Sequence, residues 1–381
     1  MSLLDAPYRY TTTQKLLLSL VGVIVFLAVW WLLAEQLAVQ QPVGTFNTRP
    51  PSSLSTDPAE IAYRDSILRA DSIAYATATE FKKVYPLLPP PQRVFGSFPA
   101  LLNPPARSVT GGLIPNAALS IWRNLQGYFW AVFLSLLIGI PIAVSPLARA
   151  MFSRQIDTLR YVPLTAVTPL FLIAFDSSQS EALKVSFLAF GILVYLLPVV
   201  MQRLWETEDV YLKTAFTLGA TDWQLVKSVY LPSVLAKLID DIRVLTAISW
   251  TYIIIAESIN RDGGLGSLLY ILARQGNIAS AYAVLITIVI IGYLQDQLFA
   301  YMNRRLFPHK ELKARRAGVK ESRTGFLVIL GCVMVYLLLK LVLPPLPVLG
   351  LLVAVVCAAG ALLVIYGEVL LRRGAGSESV R

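Results

Sequence analysis

The feature that most constrains this chain is the recurrence of apolar runs long enough to cross a bilayer. A helix needs about 20 apolar residues to span the hydrocarbon core, where every backbone polar group has to be satisfied internally. Leu125–Ala148 offers 24 uncharged residues, Leu16–Ala34 offers 19, and Val185–Gln202 and Ile278–Gln295 offer 18 each. Tyr161–Phe175 is shorter and carries Pro163 and Pro169, so a kinked helix packed inside the protein is expected. Leu238–Ile259 is apolar apart from Asp240, Asp241 and Arg243 at its start and Glu257 near its end. Thr324–Leu343, interrupted only by Lys340, and Val348–Gly367 bring the set to eight. The expectation is an all-α, polytopic membrane protein with about eight transmembrane helices. Composition agrees: 15% of the 381 residues are charged, against about 25% in soluble domains. Leu16–Ala34 is too long for a signal-peptide core and lacks a convincing cleavage site, so it reads as a retained anchor.

The net charge of +10 raises the question of nucleic acid, and its placement answers it. Asn303–Arg323 holds Arg304, Arg305, Lys310, Lys313, Arg315, Arg316, Lys320 and Arg323 against Glu311 and Glu321, which accounts for +6 of the +10. This stretch lies between two apolar runs and reads as a cytoplasmic loop under the positive-inside rule. Arg9 and Lys15, the Arg149/Arg154/Arg160 gap, the Lys213/Lys227/Lys237 gap and Arg372–Arg373 then fall on the same side, whereas Asp176–Glu181 and Pro344–Pro347 have no Lys or Arg. Both termini are expected in the cytoplasm, and no nucleic-acid partner is expected.

The chain divides into five segments on this reading. Residues 1–35 are a cytoplasmic tail and the first anchor, and residues 36–118 an external, periplasmic Pro-rich insertion. Residues 119–302 are a core of five crossings, residues 303–323 the basic loop, and residues 324–381 two further crossings and a short tail. Within the insertion, Asp57-Pro58-Ala59-Glu60 has the form of a helix start, predicting a helix to about Val84, stopped by Pro86 and Pro89–Pro91. Cys332 and Cys357 sit in apolar runs, where small apolar filler is favoured over a disulfide or a reactive thiol. The single histidine, His309, lies in the basic loop. No histidine-based metal site or His-dependent catalytic triad can be built, and no metal site is expected.

Between the fourth and fifth crossings, Arg203–Lys237 reads as helix, turn, helix. Asp209–Leu218 is helix-compatible, Gly219 permits the turn, and Thr221 or Asp222 can cap the second helix. Trp223, Val226 and Val229/Tyr230 recur at helical spacing before Leu231-Pro232. One reading is a connecting loop lying on the headgroups. A DNA-binding helix-turn-helix is opposed by the net charge of −2 over Glu206–Pro232, the wrong sign for a phosphate backbone. The third reading is a coupling element gripped by an ATPase.

The stretch Lys213-Thr214-Ala215-Phe216-Thr217-Leu218-Gly219-Ala220, followed by Val229-Tyr230-Leu231-Pro232, resembles the coupling loop of ABC-importer permeases. That family reads Glu-Ala-Ala, three residues, Gly, then an apolar residue, any residue and Leu-Pro. Lys213 and Thr214 depart from its first two positions. Leu88-Pro89-x-Pro91, Ser120-x-x-Arg123-x-x-x-Gly127, Gly139…Pro146 and Pro163…Pro169-Leu170 are similar to the nitrate/sulfonate/taurine/bicarbonate branch. So are Ser249-Trp250…Ala256-Glu257 and Gly263-Gly264-Leu265-Gly266.

The resemblance implies a type I ABC-importer permease core in a bacterial cytoplasmic (inner) membrane. It also implies partners: cytoplasmic ABC ATPase subunits, a periplasmic solute-binding protein and a second permease chain, identical or not. No Gly-x-x-x-x-Gly-Lys-Ser/Thr phosphate loop occurs in the sequence, so ATP and magnesium are expected on the ATPase and no cofactor on this chain. Lys213, Thr214, Ala215, Gly219, Ala220, Trp223, Leu231 and Pro232 are then the coupling residues, with Trp223 the anchor. Glu257, Arg123 and Trp250 are the candidates for a gate or pathway. The function implied is ATP-driven import of a small solute, an anion such as nitrate, a sulfonate, taurine or bicarbonate. Two alternatives are an ATPase-independent secondary transporter or channel, which would call for inverted halves and midplane charges, and a membrane scaffold, which has no need of the helix–Gly–helix loop.

Overall fold

The structure is a computed structural model that describes residues 11–42, 58–77, 81–104, 111–175, 180–307, 318–342 and 347–378. The chain divides into two compact units, one of residues 1–108 with 270–285 and one of residues 109–269 with 286–381.

The first unit opens with α1 (Thr12–Gln36), which starts on a reciprocal cap between Thr11 and Gln14. Its apolar residues run around the whole circumference and none of its spanning window is buried, the signature of a helix solvated by lipid rather than by protein. Strand β1 (Val39–Pro42) pairs antiparallel with β2 (Phe81–Val84), Val39 opposite Val84, and α2 (Pro58–Thr77) lies between them in the chain. Asp57, expected as the cap of α2, lies outside the described residues. The helix ends at Thr77 rather than near Val84. Phe81 and Val84 favour a strand, and the Lys83 ammonium closes an ion pair with Glu35 at the end of α1, beside the Tyr85 hydroxyl. This pairing holds the Lys83 ammonium above its ordinary range. Pro91 occupies a first-turn position of α3 (Pro91–Leu102), as its fixed φ and missing N–H permit. The Trp30 indole donates to the Pro89 carbonyl at 3.1 Å.

The second unit is built around α4 (Leu113–Val144) and α7 (Ser180–Trp205), which pack along much of their length. Gly127 makes the close approach: a methyl group there would come within 2.5 Å of Leu188. Between them in sequence, α5 (Pro146–Leu159) and α6 (Leu164–Ala174) meet at 101°, because Pro163 at the start of α6 cannot continue the preceding helix. Ile156 of α5 packs on Leu197 and Met201, and Leu164 and Phe171 of α6 pack on Phe187. The expected interior position of this kinked segment is not met within one chain: Leu170 is 63% and Ile173 83% exposed. Only one side of α6 has α7 and α11 to lie against.

After α7 come α8 (Asp209–Thr217), α9 (Asp222–Leu225), a wide π-turn over Val226–Tyr230, and α10 (Leu231–Val244). Helix α11 (Thr246–Ile259) follows at 48° to the end of α10, a break that no residue in the sequence announces. Helices α12 (Leu265–Arg274) and α13 (Ile278–Leu306) pass between the two units along the chain. Helices α14 (Val319–Val342) and α15 (Pro347–Glu378) form a hairpin in which a side chain at Gly325 would meet the Gly360 carbonyl at 2.6 Å. Such small-residue contacts let apolar helices associate in lipid.

Six helices among the described residues are long and apolar enough to cross a membrane, and eight crossings result if the bent pairs α5–α6 and α10–α11 each count as one. The architecture is mostly helical and polytopic, as expected from the sequence, with the β1–β2 ribbon as the exception to an all-α fold.

Candidate functional site

Two constellations occupy opposite ends of α7. At its C-terminal end stands the helical hairpin. Gly219 has φ +76°, and around it the Ala220 amide donates to the Ala215 carbonyl and the Gly219 amide to that of Phe216, both at 3.0 Å. This is the double closure that ends a helix on a left-handed residue. Thr221 then starts α9 with a reciprocal cap to Gln224. The turn leaves Leu218 82%, Trp223 71% and Phe216 57% exposed. Lys213 and Thr214 are exposed, Ala215, Ala220 and Leu231 half-buried and Pro232 exposed. Leu225 and Val234 are the buried pegs of the hairpin.

What fastens the hairpin was not legible in the sequence. The Arg203 guanidinium, in the last turn of α7, donates to both oxygens of Asp241 on α10 at 2.9 and 2.7 Å and to Glu206 at 2.8 Å. Lys237 stands 3.4 Å from the same Glu206 carboxylate, which Arg203 holds below the usual carboxylate range. Asp240 and Arg243, three residues apart on α10, both also reach α13. Arg243 forks onto Asp296 at 2.5 and 2.8 Å, and Asp240 accepts from Asn303 at 2.5 Å.

At the N-terminal end of α7 lies a buried polar cluster. Arg123 of α4 and Glu257 of α11 are both fully buried and paired at 2.8 Å. Glu257 also accepts from the Ser120 hydroxyl at 2.8 and 2.9 Å and from the Gly266 amide at 2.9 Å. The Arg123 guanidinium donates to both oxygens of Glu181 and, at 2.9 Å, to the Gly263 carbonyl. Asn116 accepts from the Gly264 amide at 2.7 Å and the Ser120 hydroxyl from the Leu265 amide at 2.8 Å. Gly264, at φ +103°, leaves the space that the Glu257 carboxyl fills, and a methyl group at Gly266 would come within 2.5 Å of the Ile254 carbonyl. The glycine run is thus a cradle for a buried carboxylate. The sequence points to Arg123 and Glu257 but not to Glu181, since nothing in the linear order places it beside them.

Trp250 belongs to a separate chain of hydrogen bonds deeper along α11. Its indole donates to Gln295 at 2.9 Å, Gln295 to Asn124 at 3.0 Å, and Asn124 to the Ser249 hydroxyl at 3.1 Å. None of these groups is arranged for nucleophilic chemistry. Among the described residues no three His, Cys, Asp or Glu side chains gather as metal ligands.

Residues 131–308 match the family described as "Binding-protein-dependent transport system inner membrane component". The chain is 28% identical over 245 residues to the taurine transport system permease protein of Escherichia coli strain K12, covering 62% of this chain and 86% of that protein. It is 24% identical over 203 residues to the nitrate import permease protein of Leptolyngbya laminosa, covering 52% and 71%. A solved structure of the MetNI methionine ABC transporter is similar at 22% identity, covering 50% of this chain and 95% of that one with a TM-score of 0.39.

Proposed function

We propose, from the match of residues 131–308 to the binding-protein-dependent inner-membrane transport family, that the chain is a non-catalytic permease subunit of an ABC importer and carries a small oxyanion inward. The family places an ATPase and a solute-binding protein beside the permease. In this reading the ATPase takes hold of α8 and α9 from the cytoplasm of a bacterial cell, whose inner membrane holds the chain with both termini inside. A second permease chain completes the passage.

The observation that carries the reading is the hairpin's construction. It presents Leu218 and Trp223 outward on a rigid glycine-ended turn, while Arg203 clasps its root to α10. Closure of an ATPase pair displaces the hairpin, Arg203 passes the displacement to α7 and α10 together, and the passage switches between two openings. The oxyanion is supported by the taurine and nitrate named for relatives at 28% and 24% identity, since a sulfonate and a nitrate share a small, singly charged oxygen array. Helix α6, with Leu170 and Ile173 bare in the single chain, supports a second permease chain.

The test is co-purification with the ATPase. Gly219→Pro and Ala215→Glu are expected to release it while the chain still inserts into membranes. Full ATPase retention by both variants would sink the coupling assignment. Vesicles holding the assembled importer and its binding protein are expected to accumulate taurine or nitrate only when ATP is supplied on the hairpin's side.

A further inference from the structure

Lys184, one turn into α7, is fully buried, and its ammonium has no hydrogen-bond partner among the described residues. Its nearest carboxylate oxygen belongs to Glu181, 3.7 Å away, beyond hydrogen-bond range. Two of the three carboxylates around it are already spoken for, and Asp262 acts on it only through space. Glu181 gives both oxygens to Arg123, and Glu257 gives its own to Arg123, Ser120 and the Gly266 amide. The Ser180 hydroxyl, four residues earlier on the same helical face, is also buried without a partner among the described residues. Three N–H donors and one O–H therefore point into protein with no acceptor among the described residues. An ammonium withdrawn from water is costly unless it is paired and hydrogen-bonded, so the missing acceptor calls for an occupant.

Resting on the reading of the chain as an oxyanion importer, we infer that Lys184 and Ser180 form an oxyanion subsite of the translocation path. The occupant has to bring only acceptors, be small, and carry one negative charge. Arg123 and Lys184 stand among Glu181, Glu257 and Asp262, so a monoanion adds a single charge that Lys184 faces directly, whereas a dianion doubles the repulsion from three carboxylates. Nitrate and sulfonates fit; sulfate does not. The subsite is sealed in this conformation and opens at the edge where the Glu181 side chain is 58% exposed.

The experiment uses the full importer in vesicles with its ATPase and binding protein, and measures uptake of nitrate, methanesulfonate and sulfate. Lys184→Gln is expected to raise KM for the transported monoanion about ten- to a hundredfold, the worth of a charged hydrogen bond, with a smaller change in maximal rate. Lys184→Arg recovers most of the affinity, and Ser180→Ala gives a milder loss in the same direction. Sulfate is carried poorly by every form. An unchanged KM in Lys184→Gln and Ser180→Ala overturns the inference. So does equal failure of the Gln and Arg variants at wild-type membrane levels, which marks a packing role. If the wild-type importer carries neither nitrate nor methanesulfonate, the oxyanion reading itself fails and the subsite falls with it.

Discussion

At the scale of single residues, the buried pair Arg123–Glu257 and the two positive-φ glycines make opposite kinds of demand. Removing one partner of a fully buried ion pair leaves an uncompensated charge and costs about 3–5 kcal/mol. Arg123→Met and Glu257→Leu are therefore each expected to lower the melting temperature of the purified chain, and the double variant to recover part of the loss. A double variant as unstable as the sum of the singles would show that the pair does not act as a unit. Gly219 and Gly264 look alike in sequence but differ in surroundings. Nothing stands within 4 Å of where a Gly219 side chain would go, so Gly219→Ala costs only backbone strain of about 1 kcal/mol. Gly264→Ala drives a methyl group into the Glu257 carboxyl and is expected to be clearly the more damaging in a thermal melt.

At the scale of elements, the proposed docking and transmission fall to different side chains. Leu218 and Trp223 face outward, while Arg203, Glu206, Lys237 and Asp241 tie the root of the hairpin to its neighbours. Trp223→Ala is expected to weaken ATPase co-purification, as loss of a large exposed anchor does. Arg203→Ala is expected to leave the ATPase bound and uncouple hydrolysis from uptake; coupled transport in Arg203→Ala would refute this division. The depressed Glu206 pKa sets the pH behaviour. Its ionised form is favoured in the folded chain, so its contribution is fully present above the ordinary carboxylate range and is lost only as pH falls through the lowered value. Coupling is accordingly expected to stay flat from about pH 6 to 8, measured as uptake per ATP hydrolysed. The hairpin's helices, its glycine turn and its Thr221 cap were legible because each depends on residues within four positions. The Arg203–Asp241 clasp, 38 residues apart, and the contacts of Arg243 with Asp296 and of Asp240 with Asn303 were not, because a charge selects a partner by proximity in space.

At the scale of the whole molecule, the apolar runs dictated the helical architecture and the number of crossings, since hydropathy and length are properties of the segment alone. The breaks were less accessible. Pro163 announced the bend between α5 and α6, but the bend at Leu245 between α10 and α11 has no proline or glycine to mark it. The β-ribbon of the first unit was missed because four-residue strands are too short to show a period. In the second unit, Tyr301 and Arg305 of α13 both reach Glu368 of α15, which fastens the terminal hairpin to the core helices. The glycine cradle has a further consequence. Because the backbone of residues 263–266 holds Glu257, Ser120, Asn116 and Arg123 at once, that loop cannot swing by itself. Any touch that lifts it drags a salt link out of the protein's interior, so the segment behaves as a latch that yields only together with α4 and α11.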